Sequence, residues 1–145
     1  MADNFSVSLV GAEALFERLD GLVDERKLAM AMGKACAIVE RSAKEKAPKG
    51  NGELRRSITS KVEHNGQEIV GTVFTPLEYA PYVEFGTGLF AENGGRQDVP
   101  WNYQDDEGNW HTTSGMKPQP YMRPALNENR ELIKRTLREG MVNND

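Results

Sequence analysis

Few side chains in this sequence could act as nucleophiles, proton-transfer groups or metal ligands. The two histidines, His64 and His111, lie far apart in the chain, and Cys36 is the single cysteine. A reactive thiol needs an electropositive, partly open environment, whereas Cys36 lies in the middle of an amphipathic helical pattern. A metal site on the histidines would need further ligands that the sequence does not supply. We therefore expect no catalytic residue, no metal site and no cofactor.

The acidic run Asp105–Asn109 could suggest calcium binding. It lacks the alternating oxygen ligands and the bidentate glutamate of an EF-hand loop, so the sequence favours an acidic β-turn. Gly86–Gly88 follows a predicted helix rather than a strand, which is the wrong context for a phosphate-binding loop. No serine lies in a G-x-S-x-G pattern. Glu78 and Glu84 could be general acids, but no catalytic partner is evident, so an enzyme is the weakest interpretation.

Charge is distributed unevenly along the chain, although the net charge is only -4. Residues 24–61 carry a net charge of +5, and residues 62–110 carry -8. Opposite patches on one small domain are typical of a subunit that docks on copies of itself or on other proteins. The alternative is a solvated surface with chance clustering. A basic cluster could contact phosphate but has no interleaved aromatic residues for base stacking. It consists of Arg41, Lys44, Lys46, Lys49, Arg55 and Arg56.

The length of 145 residues predicts a single domain spanning 1–145. No apolar run is long enough to span a membrane. The first residues lack the basic and apolar segments of a secretory signal. A single cysteine cannot form an internal disulfide, which is compatible with a reducing compartment.

Hydrophobic spacing predicts an α+β fold. Alternation over Phe5–Leu9 predicts a strand. Helical spacing predicts a short helix over Ala12–Leu22 and a long one that begins after Asp24 as its N-cap and ends before Pro48. Glu53–Ser57 is predicted to form one helical turn.

Asn65-Gly66 is the clearest local signal, because this dipeptide favours a two-residue type I′ hairpin. A turn at these residues pairs Val62 with Ile69 and Ile58 with Val73, which places all four apolar side chains on one face. We expect a small, mostly antiparallel sheet packed against a long central helix and a C-terminal helix.

The second half of the chain begins with a short helix within Leu77–Phe85, ended by the glycines of Gly86–Gly88. Residues 86–119 form a connection that is too long for a plain loop in a small domain. Trp101 and Tyr103 alternate with polar residues there, and Trp110 does the same after a turn. This pattern predicts a projecting polar hairpin.

A last helix is predicted over Tyr121–Glu139, with Pro124 tolerated in its first turn. Gly140 is expected to end this helix, and residues 141–145 are expected to fray.

Three segments in this order resemble a known protein family. They are Ala43–Ile58, which includes Ala47-Pro48 and Gly52-Glu53-Leu54-Arg55-Arg56; Tyr79–Gly88; and Pro118–Leu126. They resemble the tail-completion and head–tail joining proteins (neck and minor tail proteins) of lambdoid-type tailed bacteriophages and prophages. The resemblance covers about residues 5 to 137. Asn51 departs from the threonine, and Tyr121 from the phenylalanine, that are commoner there.

The resemblance implies a structural subunit without catalytic activity, in a ring, usually a hexamer, at the head-proximal end of the tail or in the neck. Its partners would be further copies of itself, tail-tube or terminator proteins and head-connector proteins, with no membrane involved. DNA would pass through the lumen without sequence-specific binding. The protein would be located in the virion and, during assembly, in the host cytoplasm. A tail terminator, a tail-tube-like subunit and a small DNA-binding regulatory protein remain alternatives.

A closed ring needs one patch of a subunit to meet a different patch of its neighbour, and the basic and acidic stretches could serve. Aromatic residues are favoured at interface centres, so the hairpin is expected to reach a neighbouring subunit or the next ring. Glu84 and Arg123, which end one short helix and begin the next, are expected to pair as framework residues. The candidate interface residues are Trp101, Tyr103, Trp110, Arg55, Arg56, Glu84 and Arg123.

Overall fold

A computed structural model describes residues 5–9, 25–50, 52–65, 68–92, 94 and 98–142. The fold is α+β, as predicted. The predicted helix over Ala12–Leu22 and its neighbour Asp24 lie outside the described residues. The elements in chain order are β1 (Phe5–Leu9), α1 (Glu25–Lys46), α2 (Glu53–Ser57), β2 (Thr59–Asn65), β3 (Glu68–Thr75), α3 (Ala80–Phe85), a 3₁₀ helix (Gly88–Phe90), β4 (Trp101–Gln104), β5 (Trp110–Thr113), α4 (Met122–Asn127) and α5 (Arg130–Val142).

The long helix α1 is the centre of the core. It ends at Lys46, because the following proline, Pro48, disfavours a helical conformation in the residue before it. Lys44 and Lys46 in the last turn also favour the negative end of the helix dipole. One face of α1 is buried against the sheet and the C-terminal helices, and it consists of Leu28, Ala31, Met32, Ala35, Cys36, Val39, Ser42 and Ala43.

The main sheet has three antiparallel strands in the order β1-β3-β2. Its central strand β3 alternates half-buried and buried residues, so the side chains of Ile69, Val73 and Thr75 face the core. Gly71 lies on the same face directly below α1, where a Cβ atom would overlap Cys36 Sγ. A glycine is required there because helix and sheet approach so closely.

The predicted hairpin register is wrong. Asn65 pairs with Glu68, and Val62 pairs with Gly71 rather than with Ile69. The connection therefore lies one residue further along than the predicted turn. The preference of Asn-Gly for a type I′ turn reflects only the local energetics of the turn. The position of β3 also depends on its pairing with β1 and on its packing against α1. Because the register differs from the predicted one by an even number of residues, the predicted apolar face is retained. Ile69 and Val73 are buried on it, and Ile58, which directly precedes β2, is buried in the same core.

The predicted single helix over Tyr121–Glu139 is interrupted. Helix α4 ends at Asn127 and α5 begins at Arg130. Asn129 Nδ2 donates a hydrogen bond to the Ala125 carbonyl at 2.7 Å, and this bond to the preceding turn replaces the regular helical pattern.

Gly140 does not end the last helix, which continues to Val142. It lies where α5 packs on α1, and a Cβ atom at this position would collide with Ala31. Two small residues thus let the helices approach closely. Residues 141–142 thus belong to the last helix, and residues 143–145 lie outside the described part of the chain. The fraying of 141–145 stays a prediction.

Candidate functional site

Two of the three motif segments meet at the start of α4, where Glu84 is fully buried. Glu84 Oε1 accepts hydrogen bonds from the backbone N–H groups of Tyr121 at 3.0 Å and Met122 at 2.7 Å. The first N–H groups of a helix have no partner within the helix, and the side chain of Tyr121, the N-cap residue, does not bond to any of them. Glu84 therefore caps α4 from another helix, and its negative charge suits that end of the helix dipole.

Arg123 joins Glu84 to a third segment of the chain. Its Nε donates to Glu84 Oε2 at 2.8 Å. Its two terminal nitrogens donate to the carboxylate oxygens of Glu92 at 2.9 and 3.1 Å, and its guanidinium lies 4.5 Å above the Phe85 ring. The expected pairing of Glu84 with Arg123 is thus present. We call Glu84, Glu92 and Arg123 the Arg123 junction.

Hydrogen bonds between Arg123 and its partners shift the pKa values of Glu92 and Arg123. Hydrogen bonds from Arg123 hold the pKa of Glu92 below its ordinary value of 4.5. Those same bonds, first to Glu92 and then to Glu84, raise the pKa of Arg123. Glu92 was missed by the sequence reasoning, since nothing in its local sequence marks it as a partner of a residue beyond the hairpin.

Tyr121 completes the polar contacts below this junction. Its hydroxyl donates to the Ala80 carbonyl at 3.1 Å. Burial raises the pKa of Tyr121, and the nearby charge of Glu84 adds to the effect. The departure from phenylalanine at this position therefore places a buried hydroxyl where a carbonyl accepts its hydrogen bond.

The described residues between 86 and 119 (86–92, 94 and 98–119) form an arm that begins at this junction. The two sides of the arm base, residues 86–92 and 114–119, are hydrogen-bonded to each other: Thr87 N donates to the Met116 carbonyl, and Leu89 N to the Ser114 carbonyl, each at 2.9 Å. Gly115 has φ +123, and a Cβ atom there would overlap the Thr87 carbonyl. The two sides of the base thus cross in backbone contact.

Beyond its base the arm is the predicted hairpin. Strand β4 pairs with β5 in an antiparallel register that sets Gln104 opposite Trp110. Asp105 Oδ1 accepts hydrogen bonds from the N–H groups of Glu107 at 3.0 Å and Asn109 at 2.8 Å, and Oδ2 lies 2.7 Å from His111 Nε2. The acidic run is therefore a turn organised by its own carboxylate.

Asp105 has a lowered pKa, mainly because of the hydrogen bond with His111 and then because of the bond from Asn109. The His111 ring stacks on Tyr103 with 5.2 Å between centroids. Within the described ranges, no group of three or more His, Cys, Asp or Glu residues is placed to hold a metal ion.

The arm exposes large apolar side chains. Trp110 is 70% exposed and Tyr103 is 45% exposed, whereas Trp101 is half-buried and packs near Gly88. Three further exposed residues lie in the arm base and were missed by the sequence reasoning, because only the tryptophans and Tyr103 stood out from the polar pattern. They are Leu89, Phe90 and Met116.

The structure does not place the remaining candidate residues in the arm. Arg55 and Arg56 lie on α2, which packs on α1. The Nε atom of Arg55 is buried and forms no hydrogen bond within the part of the chain that the structure describes. Among the described residues, members of the basic cluster form ion pairs within the subunit, including Arg41 with Glu45, Lys44 with Glu40 and Lys46 with Glu128.

Comparison with known families decides the affiliation. Residues 13–86 match the HK97-gp10-like family, described as "Bacteriophage HK97-gp10, putative tail-component". The chain belongs to the HK97-gp10-like family. The match confirms the resemblance to phage tail proteins, and it ends at residue 86, where the arm begins. No curated protein and no solved structure matches the chain. None of the helices in the described ranges has the length and apolar character needed to cross a bilayer.

Proposed function

We propose that this protein completes the head-proximal end of a phage tail and joins it to the head, as one subunit of a ring around the DNA channel. In this proposal the arm (residues 86–119) binds a neighbouring subunit or an adjoining tail or head-connector protein. Membership in a phage tail-component family supports the structural role. The structure of the arm supports the docking role.

The single observation that carries the docking role is a firmly based arm with exposed apolar side chains. Interface centres are enriched in aromatic residues and methionine, and a few such residues carry most of the binding energy. Tyr103 and Trp110 near the tip, with Leu89, Phe90 and Met116 at the base, are of these types or are other large apolar residues. Because backbone hydrogen bonds join the two sides of the base, docking would cost little ordering entropy.

Charge supports a contact between unlike surfaces. Asp106 and Glu107 are exposed at the arm tip, whereas residues 24–61 carry the positive excess of the chain. A ring closes only when one patch meets a different patch on the next subunit. An acidic, aromatic tip and a basic body have the complementarity that such a contact uses.

A catalytic role has no support in the arrangement of the described residues. The carboxylate of Glu84 is buried and is occupied by hydrogen bonds to α4 and Arg123. Burial raises the pKa of Cys36 to about 11, which keeps the thiol protonated at neutral pH. We therefore propose a binding function without chemistry.

The test is to inactivate the gene in the phage that encodes it and to examine lysates by negative-stain electron microscopy. We expect filled heads and separate tails, and we expect the purified wild-type protein to restore joined particles. Intact infectious virions without the gene would contradict the proposal and favour the regulatory or enzymatic alternatives.

A variant pair addresses the arm itself in the same rescue assay. The double variant Tyr103→Ala/Trp110→Ala should fold and fail to restore infectivity, with a loss of at least about tenfold per lost anchor residue. The matched control is Met30→Ala, because Met30 is a similarly exposed apolar residue on α1 at 67% exposure. Full rescue by the arm variant would contradict the docking role. Loss of rescue by both variants would also contradict it, because the effect would not be specific to the arm.

A further inference from the structure

We propose that Arg123 is the positioning residue of the arm: by holding Glu84 in the body and Glu92 in the arm base, it sets the direction in which the arm leaves the body. This inference rests on the proposed function only for its biological consequence, which is that a correctly directed arm reaches its partner. The positioning itself is a property of the isolated subunit.

Hydrogen bonds hold the two sides of the arm base together. Backbone bonds from Thr87 to Met116 and from Leu89 to Ser114 join the two sides of the base. Met116 N also donates to Thr87 Oγ1 at 2.9 Å. These bonds fasten the sides of the arm to each other, so that it can move as one unit. They do not by themselves fix its angle to the helices.

Arg123 links the base to the body at several points. It contacts Glu84 and the Phe85 ring at the end of α3, and its guanidinium forms two hydrogen bonds to Glu92. A planar guanidinium that binds a carboxylate through two parallel hydrogen bonds fixes orientation as well as distance. Two backbone bonds also join the arm base to α3, from Glu92 N to the Phe85 carbonyl at 2.9 Å and from Gln119 N to the Val83 carbonyl at 2.8 Å. Each of them holds the base at a single point.

The two carboxylates that Arg123 binds differ in their exposure to solvent. The Glu84 side chain is fully buried, whereas the Glu92 side chain is 37% exposed. Exposed ion pairs contribute little to global stability and are screened by salt. Loss of the Glu92 contact should therefore widen the range of angles that the arm adopts, without unfolding the protein. High salt should have a weaker effect in the same direction.

The experiment measures the distance between arm and body in the full-length protein, diluted with unlabelled protein so that only distances within one subunit are read. Spin labels would be attached to Asp106→Cys in the arm and Glu139→Cys in α5. Pulsed electron–electron double resonance would then measure the distribution of distances between the two labels. The native Cys36 can remain, because it is buried and its pKa of about 11 keeps it unreactive near neutral pH. Each variant would be made in this labelled background.

The decisive variant is Glu92→Gln, which we expect to widen the distance distribution at least about twofold while the unfolding midpoint stays within error of the wild type. Arg123→Lys keeps the charge but loses the two-pronged contact, and it should widen the distribution as well. The control is Glu131→Gln, which removes a surface partner of Lys134 on α5 and should leave the distribution unchanged.

An unchanged distribution in Glu92→Gln would overturn the inference. If Arg123→Lys fails to fold, Glu92→Gln alone decides, since it leaves the cap of α4 intact. Failure of the proposed function is recognised separately. A widened distribution with normal joining of heads and tails would support positioning but contradict docking by the arm. An unchanged distance distribution, together with joining of heads and tails that depends on Trp110, would contradict positioning by Arg123 but support docking by the arm.

Discussion

Glu84 in the interior and Asp105 at the tip of the arm each hold a segment of backbone in place, because their carboxylate oxygens accept hydrogen bonds from backbone N–H groups. Glu84 accepts bonds from the first N–H groups of α4 and from Arg123, and Asp105 accepts bonds from Glu107, Asn109 and His111. Their partners are similar in kind. Their burial differs, because Glu84 is fully buried and Asp105 lies at an exposed turn.

The difference teaches that a similar set of hydrogen bonds serves different purposes at different depths. A buried carboxylate is costly to remove when it accepts bonds from buried backbone N–H groups, as Glu84 does from Tyr121 and Met122, because these groups are left unsatisfied. At the exposed tip, water replaces what is lost. We therefore expect the Glu84 site to determine folding and the Asp105 site to determine only the local shape of the tip.

The largest expected effect is that of Glu84→Ala. It removes the cap of α4 and leaves buried N–H groups without partners, so the free energy of unfolding should fall by about 3–5 kcal/mol. Chemical denaturation monitored by circular dichroism measures this. Asp105→Ala is the matched control and should cause a much smaller loss. Equal losses would contradict the comparison.

The next effect concerns the arm base, where Gly115 has a positive φ and no room for a Cβ atom. Gly115→Ala should lower the free energy of unfolding, or open the arm base locally, by about 1–3 kcal/mol. Gly50→Ala is the control, because Gly50 also has a positive φ but nothing lies within 4 Å of the added atom. Hydrogen exchange of the Thr87 and Leu89 amides reads out the local part. If both variants exchange alike, the tight crossing is not important.

A smaller effect should follow from Tyr121→Phe, which leaves the Ala80 carbonyl without its hydroxyl donor. We expect a loss of about 1 kcal/mol, typical of one buried hydrogen bond. Thermal unfolding of the two proteins side by side measures it. If Tyr121→Phe is more stable than the wild type, the buried hydroxyl destabilises the core and the prediction is wrong.

The smallest effect should be the pH response of the tip. Because its bonds to His111 and Asn109 lower the pKa of Asp105 below 3.8, these bonds stabilise the turn above that value. The contribution is lost as the pH falls through the lowered pKa. The Trp110 and His111 resonances should therefore shift at acidic pH, and Asp105→Asn should remove that transition. A transition that persists in Asp105→Asn would assign it to another group.

Local patterns were sufficient to predict most elements of the fold. Helix α1, the turn at Glu53–Ser57 and the hairpin with Trp101 and Trp110 were predicted from periodicity and turn residues, and the structure confirms them. The register of β2 on β3 was not, because it depends on how closely Gly71 approaches α1. The role of Gly140 was not predicted for the same reason. From the sequence alone, a glycine that allows two helices to pack closely cannot be distinguished from one that ends a helix.

The junction was half predictable. Glu84 and Arg123 lie at the ends of short helices, and their pairing follows from that placement. Glu92 lies in an irregular segment of the arm base, and only the path of the folded chain brings it to Arg123. The exposure of Leu89 and Met116 could not be predicted either, because burial in a single 3₁₀ turn or in a loop has no periodic signature in the sequence.

The central claim is that the arm is a docking element, and photocrosslinking tests it most directly. Trp110→p-benzoylphenylalanine would be introduced into the protein, which is then assembled into particles and irradiated, with Met30→p-benzoylphenylalanine as the control. We expect crosslinks from position 110 to a second copy or to an adjoining tail or connector protein, and few or none from position 30. Infectious particles that contain the position-110 variant but yield only uncrosslinked monomer would contradict the account.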